Sequence, residues 1–240
     1  MFFKKGPERK TIVVFVLTFM ITMGYSGMTR AEDIQGQRPM MFIGEAFQFI
    51  PGTWSQYMIH DRLKNEHYQM VMAILEKTKV DGKPCSWMEI EITSLKNPPV
   101  ITRMLVEETK SGPGDIKEVI VQIKGYAPFT VPQKYFEGSD KEVGQFKPAF
   151  VKKRINQRRV TLNNREMVAW EAEAVDDKGK TTRALVSESV LPIGVIMAEN
   201  EEMRMYLSQS GGNAKTRIEG SPMNFYLWLL MQVGQGVGKP

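Results

Sequence analysis

Hydrophobic and polar residues alternate along most of the chain after Trp54, in short runs separated by clusters of Gly, Pro, Asn and Asp. Alternation at every second residue is typical of a strand with one buried face, and such clusters mark the turns between strands. The pattern predicts about ten strands in an antiparallel meander, at residues 54–61, 67–77, 85–93, 100–108, 116–124, 159–162, 166–175, 181–189, 195–198 and 202–209.

Two apolar segments predict helices at the ends of this region. Residues 40–47 form a short run that ends before Pro51 and Gly52, because proline lacks a backbone N–H and glycine accepts φ values that other residues avoid. Residues 225–231 are seven consecutive apolar residues, too few to span a bilayer. We expect a short terminal helix or strand that covers the sheet, with an exposed docking patch as the alternative.

The sequence therefore predicts a mainly β protein of the α+β class, with one antiparallel sheet, an N-terminal helix and a short C-terminal helix. The strand at 67–77 is apolar on both faces, so we expect the sheet to be covered on both sides there. Regular alternation stops at about 125–150, which predicts a long loop, and the Gly-rich residues 234–240 predict a flexible tail.

The first 31 residues have the layout of a Sec-type signal peptide. Lys4 to Lys10 form a charged start, an apolar run of about 13 to 17 residues follows, and small or polar residues precede Ala31. We expect cleavage after Ala31 or Ser26 and a single mature domain, 32–240, in the periplasm. An uncleaved inner-membrane anchor is the alternative, although the run is shorter than the roughly 20 residues that span a bilayer. No cysteine lies near the cleavage region, which excludes lipidation there.

Charge and cysteine content narrow the classes of function. The leader holds five basic residues and one acidic residue, so the remaining chain has a net charge of only +1 out of +5. A nucleic-acid partner therefore has no support. Cys85, the only cysteine, excludes an intramolecular disulfide, and its alternating segment predicts a buried thiol.

Several segments resemble the LolA-like superfamily, the periplasmic lipoprotein carriers and their relatives. The residues that carry the resemblance are Pro51, Gly52, Trp54, Tyr57, the segment 86–90, the segment 190–194, Met205, Tyr206, Leu207 and Gly211. The resemblance covers most of residues 40–220. It implies a curved, half-open antiparallel barrel closed by helices, whose concave face holds acyl chains.

We therefore expect an exported, non-enzymatic protein that holds a lipid or another hydrophobic ligand, with a role in envelope lipid or lipoprotein handling. Runs of apolar residues at every second position supply most of the candidate cavity lining. The candidates are Trp54, Met70, Met72, Met88, Ile90, Val119, Val121, Met203, Met205 and Leu207. A structural or partner-binding β domain without a ligand is the alternative.

A stretch free of acidic residues, 144–165, offers a second kind of contact. A solvated basic loop is the plain interpretation, and contact with an anionic membrane surface or an acidic envelope protein is the functional one. The candidate residues are Lys152, Lys153, Arg154, Arg158 and Arg159.

Metal binding and catalysis receive less support from the residues. His60 and His67 flank one predicted hairpin with Asp61 and Glu66, and Met203 and Met205 could offer thioethers to copper. Neither set has the spacing of a known ligand motif, so metal binding is a weak alternative and we expect no cofactor. In the predicted strand 85–93, Glu89 and Glu91 alternate with Met88, so we expect these carboxylates to face solvent, where burial does not raise a carboxyl pKa. Because the chain also has no G-x-S-x-G, H-E-x-x-H, P-loop or dinucleotide motif, we do not expect an enzyme.

Overall fold

The computed structural model describes residues 46–110, 112–135, 150–162, 164–175, 179 and 181–236. The predicted signal peptide and all but the last two residues of the predicted helix 40–47 lie outside these ranges. Within them, twelve strands and one α-helix follow in chain order: β1 Thr53–Asp61, β2 Glu66–Val80, β3 Lys83–Ser94, β4 Val100–Thr109, β5 Gly112–Ile123, β6 Phe129–Thr130, β7 Phe150–Leu162, β8 Arg165–Val175, β9 Thr181–Val186, β10 Val195–Glu199, β11 Met203–Gly211, β12 Met223–Asn224 and α1 Phe225–Gly236.

All twelve strands belong to one open, curved sheet, in the order β12-β6-β5-β4-β3-β2-β1-β11-β10-β9-β8-β7. Neighbouring strands are antiparallel except β12, which lies parallel to β6. The prediction of a mainly β fold with a curved antiparallel sheet and a short C-terminal helix is confirmed, and the sheet is not a closed barrel. The ten strands of five residues or more correspond to the ten predicted ones, whereas the two-residue strands β6 and β12 were not predicted.

Two strands begin earlier than the sequence pattern indicates. Gly112 and Pro113, predicted as a turn, are the start of β5 and pair with β4. Among the described residues, β6 pairs only with Ile120 and Val121 of β5, so the start of β5 lies at an edge, where proline is tolerated. Likewise the region predicted as a basic loop is strand β7, which begins at Phe150. Its side chains from Lys153 to Arg159 are exposed on both faces, so no alternation marked it as a strand.

The other boundary differences concern the predicted loop and tail. The loop at 125–150 contains β6 and a 3₁₀ turn at Gln133–Tyr135, and residues 136–149 lie outside the described ranges. Residues 234–236 of the predicted tail are the end of α1. The Asp81-Gly82 turn forms as predicted, with φ values of 51° and 77° that suit a tight hairpin.

The inner face of the sheet, defined here as the face that carries Tyr57, Met72 and Met205, forms the main core. Tyr57 is fully buried and donates a hydrogen bond to the Val195 carbonyl over 2.8 Å, which links β1 to β10. Burial raises the pKa of the Tyr57 hydroxyl, so this group stays protonated and keeps donating.

A segment that we call the strap, residues 212–222, covers the outer face of the sheet. It leaves β11 and reaches β12 at the far side of β1 to β6 in the strand order. Glu89 accepts hydrogen bonds from the Thr216 hydroxyl over 2.6 Å and from the Arg217 backbone N–H over 2.8 Å. Further on, Glu219 exchanges two hydrogen bonds with the Gln122 side chain.

The strap corrects one expectation and confirms another. Glu89 was predicted to face solvent, but its residue is only 3% exposed because the strap lies over it. Val71 and Ala73, on the outer face of β2, are buried as well. Strand β2 is therefore covered on both faces, as its two-sided apolar pattern predicted.

Helix α1 begins where the Asn224 side-chain oxygen accepts a hydrogen bond from the Tyr226 N–H over 2.9 Å, an N-cap. Phe225 and Trp228 bury their rings against Phe129 of β6. The opposite face exposes Tyr226, Leu227, Leu230 and Met231. The helix thus covers the sheet edge with one face, as expected, and also presents the exposed apolar patch that was the alternative. No helix in the described ranges is long and apolar enough to cross a bilayer.

Cys85 lies in β3 and is fully buried, as predicted. We expect a thiol reagent to modify Cys85 only as fast as the protein unfolds, since a thiol without solvent access reacts slowly. Labelling with DTNB in buffer and in denaturant, followed by mass spectrometry, measures this. Labelling within seconds in the native protein would contradict the buried position.

Candidate functional site

Nine of the ten predicted cavity residues lie together on the inner face. Met70, Met72, Met88, Ile90, Val119, Met205 and Leu207 belong to the main core cluster, and Val121 and Met203 pack against it. Trp54 is different, because it pairs with Ala73 and Gly211 on the outer face. Trp54 is therefore not positioned to line an inner-face cavity with the other nine.

The methionine side chains at the centre of the inner face are closed to solvent. Met70, Met72, Met88 and Met205 have no solvent exposure. Two cavities open on the described part of the sheet, and neither is lined by any of the nine residues. Both cavities therefore lie beside this cluster rather than within it.

Small side chains extend the inner face from the cluster toward β7. Directly paired residues of antiparallel strands share a face. Met205 pairs with Ala198, Ala198 with Ala184, Ala184 with Ala172, and Ala172 with Arg154. A row of three alanines thus leads from the methionine core to Arg154 at the edge of the sheet.

A cleft of about 420 Å³ opens at the end of this row. Its lining residues are Arg154, Ile155, Asn156, Gln157, Val168, Trp170, Glu188 and Ser189. The register of β7 against β8 shifts between Arg154 and Gln157, so Ile155 and Asn156 form a bulge with no paired residue on β8. Bulges bend a strand and re-aim its side chains, which accounts for an opening at this position.

Chemically, the cleft combines an aromatic wall, exposed aliphatic groups and one cation. Ile155 is 42% exposed and Val168 is 49% exposed. The Arg154 guanidinium carbon lies 4.2 Å from the centre of the Trp170 ring, a cation–π contact. Glu188 is the acidic lining residue, and its carbonyl accepts a hydrogen bond from Gln48 over 3.2 Å.

A second cavity, of about 270 Å³, lies between the outer face and the strap. Trp54, Glu89 and Arg217 are among its lining residues. Trp54 donates to the Gly212 carbonyl over 3.1 Å and packs on Gly211, where an added Cβ would stand 3.0 Å from the indole nitrogen. Pockets that hold small ligands usually occupy about 300–1,000 Å³, so the β7–β8 cleft is the better candidate.

The predicted anionic-contact residues, Lys152, Lys153, Arg154, Arg158 and Arg159, all belong to β7. The side chains of Lys153, Arg154, Arg158 and Arg159 are exposed. Arg158 makes an ion pair of 3.2 Å with Glu171 on β8. The residues therefore form a basic edge strand rather than a basic loop.

His60 and His67 come together as the hairpin prediction implied, since they pair directly between β1 and β2. Their rings stack with centroids 4.4 Å apart and planes 4° apart, and His60 contacts the Asn65 side chain. Among the described residues, no group of three His, Cys, Asp or Glu side chains is placed to hold a metal ion. The pair therefore gives the metal alternative no added support.

The sequence reasoning missed Val168, Trp170 and Glu188 as site residues. The alternation in 166–175 placed Trp170 in a strand but gave no reason to separate it from the core. Ile155, an aliphatic residue among basic ones, was the available signal, and its meaning depended on a bulge that alternation does not reveal.

The sequence matches no protein-family model and no curated protein. Among solved structures, it is similar to a protein from Parabacteroides distasonis assigned as a lipoprotein, with 10% identity, a TM-score of 0.35, and coverage of 72% of this chain and 100% of that one. It is also similar to MucB, with 8% identity, a TM-score of 0.34, and coverage of 74% of this chain and 60% of that one. A third is a protein from Bacteroides fragilis assigned as exported, with a YmcC-like fold, 8% identity, a TM-score of 0.30, and coverage of 72% and 100%. Likenesses at this level carry no argument about function, and the LolA-like resemblance stays a prediction.

Proposed function

We propose that this protein is an exported, non-enzymatic binding protein that holds an amphipathic molecule with an anionic head, such as a fatty acid, in the β7–β8 cleft. The observation that carries the proposal is the 420 Å³ cleft, in which Arg154 and Trp170 share the face of the alanine row by strand register. The signal-like leader supports export.

The lining residues suit the two parts of such a ligand. Trp170, Val168 and Ile155 offer apolar surface, and each methylene buried there would contribute about 0.8 kcal/mol. Arg154 offers a planar set of donors that matches a carboxylate or phosphate. Glu188 restricts the anion to the Arg154 side of the cleft, because like charges repel.

We expect Trp170→Ala to weaken binding of a fluorescent fatty acid at least tenfold, which corresponds to about 1.4 kcal/mol. The indole is both the apolar wall and the support of Arg154. Titration of the probe against wild type and variant gives the two dissociation constants. A second variant, Val168→Asp, places a carboxylate at a half-exposed position and should weaken the same probe without removing core volume.

A second Arg–Trp stack provides the matched control. Arg103 lies 4.4 Å from the centre of the Trp87 ring, and Glu89, the partner of Arg103 in the β3–β4 register, places this stack on the outer face. Trp87→Ala should leave probe affinity unchanged, and the methyl ester of the same fatty acid should bind more weakly than the acid. Equal losses in both Trp variants, or equal affinity for acid and ester, would contradict the assigned site.

Lipid extraction of the purified protein, followed by mass spectrometry, tests the function itself. If wild type carries no lipid and binds no probe, the ligand-binding proposal fails. The protein is then better described as a structural or partner-binding β domain, the alternative that its exposed helix face and open edge favour.

A further inference from the structure

The outer edge of β7 is unpaired along the described sheet. Strand β7 stands last in the strand order, and among the described residues it pairs with β8 alone. At 13 residues it is the second longest strand after β2, which has 15. An edge strand of this length presents a row of backbone N–H and carbonyl groups to which another extended chain can bind.

One part of this edge has the regular geometry that strand addition requires. Register shifts interrupt β7 on both sides of Lys153 and Arg154. Residues Gln157 to Leu162, in contrast, pair with β8 in a continuous register. Arg158 and Arg159 lie within this regular run and project to opposite faces, since successive residues of a strand alternate. A strand added here would therefore meet a guanidinium on each face.

The charge of β7 selects the kind of strand that can bind. The sequence of β7 has five Lys or Arg residues and no Asp or Glu. Two copies of β7 paired edge to edge would oppose basic side chains, so the charge disfavours self-association. An acidic strand would replace this repulsion by attraction. The basic charge of β7 therefore disfavours pairing with a second copy of β7 and favours pairing with an acidic strand.

Strand β8 shows how an acidic strand fits against β7. It carries Glu166, Glu171 and Glu173. Glu171 makes an ion pair with Arg158, and Glu173 pairs in register with Lys153. Two basic residues of β7 are thus already matched by acidic residues of β8, and an acidic strand on the other edge would meet the same basic side chains.

We propose that the outer edge of Gln157–Leu162 binds an extended acidic segment of another protein, which adds to the sheet as a further antiparallel or parallel strand. Backbone hydrogen bonds supply the alignment, and Arg158 and Arg159 supply the preference for Asp or Glu. The proposal does not depend on a lipid in the cleft, because it uses the backbone of 157–162 with Arg158 and Arg159, and neither Arg154 nor Trp170 takes part.

The probe for the test is a labelled Glu-rich peptide of about ten residues, with a Lys-for-Glu counterpart, measured by fluorescence polarisation. Wild type should bind the acidic peptide at least tenfold more tightly than the basic one. The variant Arg158→Gln plus Arg159→Gln should lose at least tenfold in affinity for the acidic peptide. Thermal unfolding of each variant verifies that the fold is kept.

The matched control removes the same charge elsewhere. Lys79 and Lys110 are exposed, and they lie on β2 and in the turn after β4, far from β7 in the strand order. Lys79→Gln plus Lys110→Gln should keep wild-type affinity for the peptide. Equal losses in the two double variants would overturn the proposal, because net charge alone would then explain binding.

Hydrogen exchange of the backbone amides distinguishes strand addition from a contact made by charge alone. In an edge strand, alternate N–H groups point away from the neighbouring strand. The acidic peptide should slow exchange at alternate amides within 157–162 at least tenfold and leave β2 unchanged. Binding without this protection, no binding of the peptide, or binding only to vesicles that contain phosphatidylglycerol would each overturn the proposal.

Discussion

Replacing Glu89 by Ala is expected to lower the free energy of unfolding by about 2–4 kcal/mol. Glu89 is 3% exposed and accepts hydrogen bonds from the Thr216 hydroxyl and the Arg217 N–H. Alanine would remove the acceptor of both hydrogen bonds, and a hydrogen bond to a charged group contributes about 1.5–3 kcal/mol. Thr216 and Arg217 belong to the exposed side of the strap, so water replaces part of this loss. Urea unfolding followed by circular dichroism measures the change.

Two variants separate the hydrogen bonds from the charge. Glu89→Gln keeps one carbonyl acceptor and the side-chain volume, so we expect a loss of about half that of Glu89→Ala. Glu91 makes an ion pair with Arg217 at the partly exposed border of the strap, and Glu91→Ala should cost less than about 1 kcal/mol. If Glu89→Ala costs no more than Glu91→Ala, the strap is not held by Glu89.

The role of Glu89 illustrates what a strand pattern can and cannot predict. Alternation correctly assigned Glu89 and Met88 to opposite faces of β3, because the side-chain period of a strand is two residues. It could not show that residues 212–222, more than 120 positions later, return to cover the polar face. Only the two-sided apolar character of β2 indicated that some segment had to lie there.

The same limit applies to the candidate site. Nine of the ten residues chosen for their period of two do share the inner face, so the pattern predicted the face well. Whether a face is filled or open depends on how neighbouring side chains pack across strands. The opening lies where β7 bulges, and a bulge follows from register rather than from composition.

Strand β7 was harder to predict for a different reason. A central strand has at least one buried face and therefore alternates, whereas β7 exposes its side chains from Lys153 to Arg159 on both faces. Basic residues on such a strand look like a solvated loop in the sequence. Exposure on both faces and uniform basic charge removed the alternation from which a strand is predicted. The same two features make the edge of β7 a binding surface.

A small aromatic cluster holds helix α1 against the sheet. Phe129→Ala is expected to detach α1 from the sheet, because the Phe129 ring lies 4.4 Å from the Trp228 ring and 5.8 Å from the Phe225 ring, measured between centroids. Loss of a buried phenylalanine typically costs about 3–5 kcal/mol. Here the loss falls on a small cluster apart from the main core, so we expect local release of α1 rather than global unfolding.

Hydrogen exchange of residues 225–236 reports that release directly, and so does the emission of Trp228 in a background where Trp54, Trp87 and Trp170 are replaced by Phe. In Phe129→Ala, the helix amides should exchange at least tenfold faster and Trp228 emission should shift to the red, while β2 and β3 keep their protection. Leu230→Ala is the control, because Leu230 is 70% exposed and its truncation should change neither signal. Backbone pairing between β6 and β12 survives the substitution, since it uses main-chain groups only. Continued protection of α1 in Phe129→Ala would therefore show that this pairing and the N-cap, rather than the three aromatic rings, hold the helix in place.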